Sequence, residues 1–321
     1  MKFRIRTLAS GLFLFMATLS GQDTWHGSLS GMHMMHNPGF AGVGGVQAVN
    51  ISAFSFLPGN SFGLRSVHAS YDGYFSAIHG GAGVWITDDM LGDILNDLKG
   101  GVSYSYHFRA GRRTYITAGL TASAISRGIR SGSVILPDDI DPFRGITGGG
   151  EGYAGPANVT RFDIGTGFTI ASGPWYAGLS VMHLTRPALG DFDREDSRIH
   201  RLLTLTGGIE LNPGGGDFFI RPSAAFLAQG DEYRIYLGGE STWKGLAAGV
   251  AMWHLTDGFT AVECSVGWDD AALKIILSYS YILAGGDVSF GGTAIIKAGV
   301  SFAFGNVEKS RALHIIKLPL L

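Results

Sequence analysis

Apolar and polar positions alternate strictly along much of the chain, most clearly between residues 101 and 125. In residues 101–108, GVSYSYHF, Val102, Tyr104, Tyr106 and Phe108 share one phase, while Ser103, Ser105 and His107 take the other. After a polar turn at residues 110–113 the alternation resumes. Ile116, Ala118, Leu120, Ala122 and Ala124 now oppose Thr117, Gly119, Thr121 and Ser123. Successive side chains of a strand point to opposite faces, so each half predicts a strand with one oily face and one of hydroxyls and glycine. Runs of roughly eight to eleven such residues have the length of a tilted strand crossing a bilayer.

The same pattern predicts strands at residues 45–56, 61–72, 78–87, 100–109, 114–125, 160–171, 174–184, 200–211, 217–228, 232–242, 245–254, 259–268, 272–283 and 294–304. That is about fourteen antiparallel strands, an even number, as closed outer-membrane barrels prefer. The connections sort themselves by length. Every second one is short (73–77, 110–113, 172–173, 212–216, 243–244, 269–271), and the long ones, 88–99, 126–159, 185–199 and 284–293, all fall in the other set. Short periplasmic turns and long outer loops are what an outer-membrane barrel requires; a soluble sandwich has no reason to sort them. The fold class is therefore an all-β transmembrane barrel.

Composition narrows the reading. The chain has 321 residues, 50 of them glycine, a net charge of −2 and 16% charged residues, so neither nucleic acid nor a strongly acidic partner is indicated. Cys264 is the only cysteine, which removes any intrachain disulfide framework. A mean hydropathy of +0.20 without a long apolar run after the leader argues against a helical membrane protein. Basic residues 1–6 followed by an apolar stretch, 8–19, and the small Ser20 and Gly21 predict a signal peptide over residues 1–21, with the mature chain beginning near Gln22.

Further expectations follow from phase. Phe108, Tyr115, Trp175, Trp243, Trp268 and Phe304 fall at the short-turn ends of strands, where an interfacial aromatic girdle belongs. Asp163, Glu210, Arg221, Glu263, Lys274 and Lys297 occupy the polar phase and should face the lumen as mixed-sign ion pairs. Pro222, inside a strand, predicts a bulge.

Several motifs admit a chemical reading and a plainer one. His33-Met34-Met35-His36, with His26 and Met32, has the donors of a soft-metal site, but flexible sequence before a barrel favours none. Residues 148–155, GGGEGYAG, lack the strand-to-helix context of a phosphate cradle and read as a surface loop. Residues 88–97, DDMLGDILND, lack the spacing of a calcium loop and read as a short amphipathic helical turn at the surface. No serine, histidine and carboxylate group can be nominated as a triad and no cofactor or metal is indicated, so an outer-membrane hydrolase is the lesser rival to a non-enzyme.

Residues 36–42, HNPGFAG, resemble the PorP/SprF family of type IX secretion system membrane proteins. So do 69–75, ASYDGYF, 80–84, GGAGV, 102–108, VSYSYHF, 162–167, FDIGTG, and 176–184, YAGLSVMHL. The resemblance covers nearly all of the mature chain, through the order and spacing of motifs that are individually weak. The tail 313–321, LHIIKLPLL, is similar to the family's lysine- and proline-bearing C-terminus, with Leu318 where a cysteine is expected. The resemblance implies a barrel related in architecture to fatty-acid-channel-like proteins. It implies a role in secretion or surface attachment of proteins with a type IX C-terminal signal, including gliding adhesins, and contact with periplasmic parts of the machinery. It implies no catalysis. The alternative is a diffusion channel for small hydrophobic or polar solutes.

The expected organisation is a signal peptide (1–21), a plug or periplasmic segment (22–44), the barrel (45–304) and a tail (305–321), with both termini periplasmic. Irregular backbone at membrane depth must be enclosed. Asn37, Pro38, Gly39, Phe40 and Gly42 are accordingly expected inside the barrel, with Phe40 as apolar anchor. The outer loops, chiefly 126–159, are expected to receive a secreted partner through Ile135, Phe143, Tyr153, Arg186 and Arg194.

Overall fold

The structure, a computed structural model, describes residue 23 and residues 31–58, 63–92, 94–129, 140–141, 145–146, 158–190, 197–256, 258–270, 272–285 and 294–304. After a helical turn, His33–His36, and a 3-10 turn, Pro38–Phe40, the strands begin. They are β1 (Gln47–Phe56), β2 (Leu64–Phe75), β3 (Gly80–Leu91), β4 (Leu95–Arg109), β5 (Thr114–Ile129), the two-residue β6 (Ile140–Asp141) and β7 (Gly145–Ile146), and β8 (Asn158–Ser172). Then follow β9 (Trp175–Met182), β10 (Leu202–Ile209), β11 (Phe218–Gln229), β12 (Glu232–Trp243), β13 (Leu246–Leu255), β14 (Thr260–Asp269), β15 (Leu273–Ala284) and β16 (Ala294–Phe304). Apart from β6 and β7, which pair only with each other, these fourteen strands form one closed barrel, each beside its sequence neighbour and β1 against β16.

Alternation explains the two faces. Val102, Tyr104, Tyr106 and Phe108 of β4 and Leu120 of β5 are exposed on the outer wall, whereas Ser103, Ser105, Thr117 and Thr121 are buried. The pairing carries the phase across strands: Tyr104 opposes Leu120, and Ser103 opposes Thr121 with a 3.1 Å hydroxyl contact. An apolar exterior and a hydroxyl interior invert a soluble core, as lipid demands. Trp175, Trp243, Trp268 and Phe304 stand exposed at the short-turn end.

Four expectations need correction. Tyr115 does not join the girdle: it shares the inward phase of Thr117 and is only 8% exposed. Residues 88–97 form neither a long loop nor a helical turn. They are the tip of the β3–β4 hairpin, with Asp89 opposite Asp97 and both buried. The acidic residues that suggest a surface turn are inward-facing here; Asp97 receives Arg127 Nε at 2.7 Å and Nη2 at 2.6 Å. Pro222 makes no bulge. Arg221↔Glu240, Pro222↔Gly239 and Ser223↔Gly238 keep one register, and on the other side the ladder lapses after Gly208↔Ser223 and resumes at Leu211↔Ile220. Proline lacks the donor but not the extended backbone, so the sheet loses local pairing without shifting. The register shift recorded among the described strands lies instead at Thr260/Ala261.

A ring without edges has no strand from which detergent can start to unravel it. The unheated protein is therefore expected to migrate differently from the boiled protein in electrophoresis and to keep its sheet signal in mild detergent. Identical mobility with loss of sheet would rule out the ring.

Candidate functional site in the barrel lumen

About eight strands enclose only enough space for side chains, and about sixteen leave an aqueous channel. Fourteen lie between these limits and leave room for a segment of chain. Residues 31–43 lie in that space, against the inner faces of β3, β4, β5, β8 and β9. Asn37 starts the 3-10 turn: its Oδ1 accepts from Gly39 N at 2.8 Å and its Nδ2 donates to Phe168 O. Pro38 supplies the fixed φ that a first helical position favours.

The wall hydrogen-bonds the carbonyls that this short turn leaves open. Thr117 Oγ1 donates to Gly39 O, Ser105 Oγ to Ala41 O at 2.6 Å and Ser180 Oγ to His36 O, while Gly42 N donates to Asp72 Oδ2 at 2.8 Å. Phe40 meets Tyr176 edge to face, with centroids 6.0 Å apart. It belongs to a buried cluster with Met182, Leu202, Leu227, Tyr236 and Trp253 that lines the inner wall from β8 to β13. Met34 and Met35 pack on Trp85. Among the described residues no group of histidine, cysteine and carboxylate side chains could hold a metal.

This close fit depends on glycine. A Cβ at Gly119 would collide with Pro38 C and Gly39 N, at Gly81 with Ala41 O, at Gly167 with Asn37 Oδ1, and at Gly178 would meet Asn37 Nδ2 at 2.8 Å. Four strands thus each lack a side chain where the segment passes. Gly42 itself, at φ +67°, lies against Gly73 and Gly81. The sequence holds a trace of this seat: Gly119 falls in the polar phase of its strand.

Charges occupy the two ends of the lumen. At the short-turn end Arg221 donates from Nε to Glu210 at 2.8 Å and from Nη1 to Glu240 at 3.2 Å and Asp269 at 3.0 Å, and Lys274 lies beside the last two. Asp163, Glu263 and Lys297 are also buried inside the ring. At the long-loop end Lys99 Nζ meets Asp23 at 3.0 Å and Asp89 at 3.2 Å. His183 lies between Asp163 and Asp23. With a carboxylate on each ring nitrogen, both nitrogens donate and the imidazole is charged. Burial alone would raise the Asp23 carboxyl; His183 and Lys99 reverse this and hold it well below the usual carboxylate range. Nothing in the sequence pattern singles out Asp23, Lys99 or His183.

Of the expected loop contacts, Ile135, Phe143, Tyr153 and Arg194 lie outside the described residues, as do His26, the leader and the tail. Arg186 is described: its N–H donates to His183 O, and its carbonyl accepts from Arg198 Nη1 at 3.1 Å. The loop it belongs to turns inward, pairing Ala188 with Arg198 and burying Leu189 and Ile199 against Ile125 of β5.

The family described as type IX secretion system membrane protein PorP/SprF matches residues 19–294. The chain belongs to the PorP/SprF family. No curated protein matches it. Among solved structures it is similar to the Ralstonia pickettii toluene transporter TbuX, with TM-score 0.51 and 11% identity over 87% of this chain and 96% of that one. It is also similar to the P. putida toluene transporter TodX, with TM-score 0.50 and 12% identity over 89% and 95%. At such identities the likeness shows the fold alone, and that fold is an outer-membrane barrel. This PorP/SprF chain is thus a membrane protein of the type IX secretion system, sited in the outer membrane.

Proposed function

We propose that this PorP/SprF barrel assists the secretion or surface attachment of proteins bearing a type IX C-terminal signal, with residues 22–44 as its plug and no solute passing through. The family match over residues 19–294 carries the secretion role. The plug reading is supported by Phe40 packed inside the ring against Tyr176, Trp253 and their neighbours. In this reading the short turns and the C-terminal end of β16 face the periplasm, where other parts of the machinery meet them. The long loops face outward. Residues 126–159 and 185–199 receive the secreted partner, an adhesin or similar protein, through Ile135, Phe143, Tyr153, Arg186 and Arg194. A connection of this length exceeds what joining two strands needs.

Trimming residues 133–155 to a short turn is expected to leave the heat-dependent mobility unchanged and to reduce retention of the partner at the cell surface. Normal display on a folded, trimmed barrel would reduce the loop to a lid. Deleting the gene separates the two readings. Loss of surface display with unchanged uptake of small solutes supports secretion, and lost uptake with intact display supports a diffusion channel.

A further inference from the structure

Asp23 is held far more completely than a spacer residue needs. Its carboxylate accepts from Lys99 Nζ, His183 Nε2 and Gln229 Nε2. Its N–H donates to Gln229 Oε1 at 2.9 Å, and its carbonyl accepts from Arg234 Nη2 at 3.1 Å. Side chain and both main-chain groups are therefore read at once. The reading groups come from four separate parts of the wall: β4, the residue after β9, the end of β11 and the start of β12. Each of three is also oriented by a neighbour other than Asp23. Asp89 holds Lys99, Asp163 holds His183 and is itself held by Thr185, and His200 O takes Gln229 Nε2. Such second contacts fix a site before its ligand arrives.

We infer that the long-loop half of the lumen carries a peptide-carboxylate site, filled in this structure by the chain's own Asp23, whose ligand class is an acidic residue within an extended peptide. Three donors converge on the side chain, which suits a carboxylate and not an amide, because an amide offers one acceptor oxygen and turns its own donors toward Lys99 or His183. The main-chain contacts from Gln229 and Arg234 distinguish a peptide from a free small acid. The site does not depend on the secretion role proposed above. It is a property of the wall, and Asp23 is its internal occupant.

Chemical complementation tests this. The full-length chain carrying Asp23→Gly is purified in detergent, and its loss of unheated mobility is followed with temperature. The variant is expected to unfold at a lower temperature than the parent. N-acetyl-aspartate N′-methylamide should raise that temperature saturably in the variant and leave the parent unmoved. The asparagine analogue should need at least about tenfold more for the same shift. Adding Lys99→Met to the variant should abolish the response. If the acid and amide probes act alike, or neither shifts the variant, Asp23 is only a packing contact and the inference fails. Should Asp23→Gly not assemble, Asp23→Ala also leaves the carboxylate's place open, and the same acid-over-amide preference decides.

Discussion

Replacing Gly119 with leucine is expected to drive the N-terminal segment out of the lumen and to turn a closed barrel into a conducting one. The added Cβ alone would overlap Pro38 C and Gly39 N, which are main-chain atoms and cannot swing aside. Either the wall or the segment must move. The wall at Gly119 is paired on both sides, to Ser105 of β4 and Gly167 of β8, in ladders that run unbroken for most of each strand. The segment is held by separate side-chain hydrogen bonds, such as those from Thr117, Ser105 and Ser180, each worth about 1 kcal/mol net, and by the packing of Phe40, with no continuous backbone ladder to the wall. The segment therefore gives way. Ala118→Leu supplies the control, because one residue along the strand the side chain points to lipid. Planar-bilayer conductance should rise for Gly119→Leu and stay at the parental level for Ala118→Leu. Equal conductance in the two variants, with both barrels folded, would mean that the segment does not obstruct the pore.

Arg221→Met should cost about 3–5 kcal/mol of stability, the usual result of removing one partner from a buried ion cluster. Arg221 is 2% exposed and bridges Glu210, Glu240 and Asp269. Without it, the Lys274 ammonium, 3.6 Å from Glu240 and 3.7 Å from Asp269, is the cation left beside them. Arg221→Lys keeps the charge but not the planar fork that reaches separate carboxylates, so an intermediate loss is expected. The temperature at which the unheated form is lost checks both. A methionine variant as stable as the parent would show that these charges do not hold the short-turn end together.

The fold was legible because a barrel strand declares itself locally. In residues 101–108 the lipid and lumen faces can be read from two-residue alternation alone, and loop lengths then sort the connections to two ends of the barrel. The departures from this pattern have different causes. Asp89 and Asp97 look like surface acids until Lys99 and Arg127 are seen beside them inside the ring. Tyr115 sits at the correct level for a girdle but in the wrong phase, and there phase outweighed level. Pro222 lacks a donor, but its fixed φ suits an extended chain, so the register holds without a bulge. The Asp23 contacts were beyond reach, since their partners stand 76 positions away at Lys99 and 211 away at Arg234. No periodicity connects residues so far apart.

The seating of residues 37–42 has a consequence for how the molecule comes together. Every glycine and hydrogen-bonding group that receives this stretch belongs to β2, β3, β4, β5, β8 or β9, and none of them to the closing pair β1 and β16. Phe40 within this stretch also packs in one buried cluster with Leu202, Leu227, Tyr236 and Trp253 of β10 to β13. Gln229 and Arg234, at the end of β11 and the start of β12, hold Asp23. The barrel thus grips its own beginning at two places, and neither relies on the seam where the last strand meets the first.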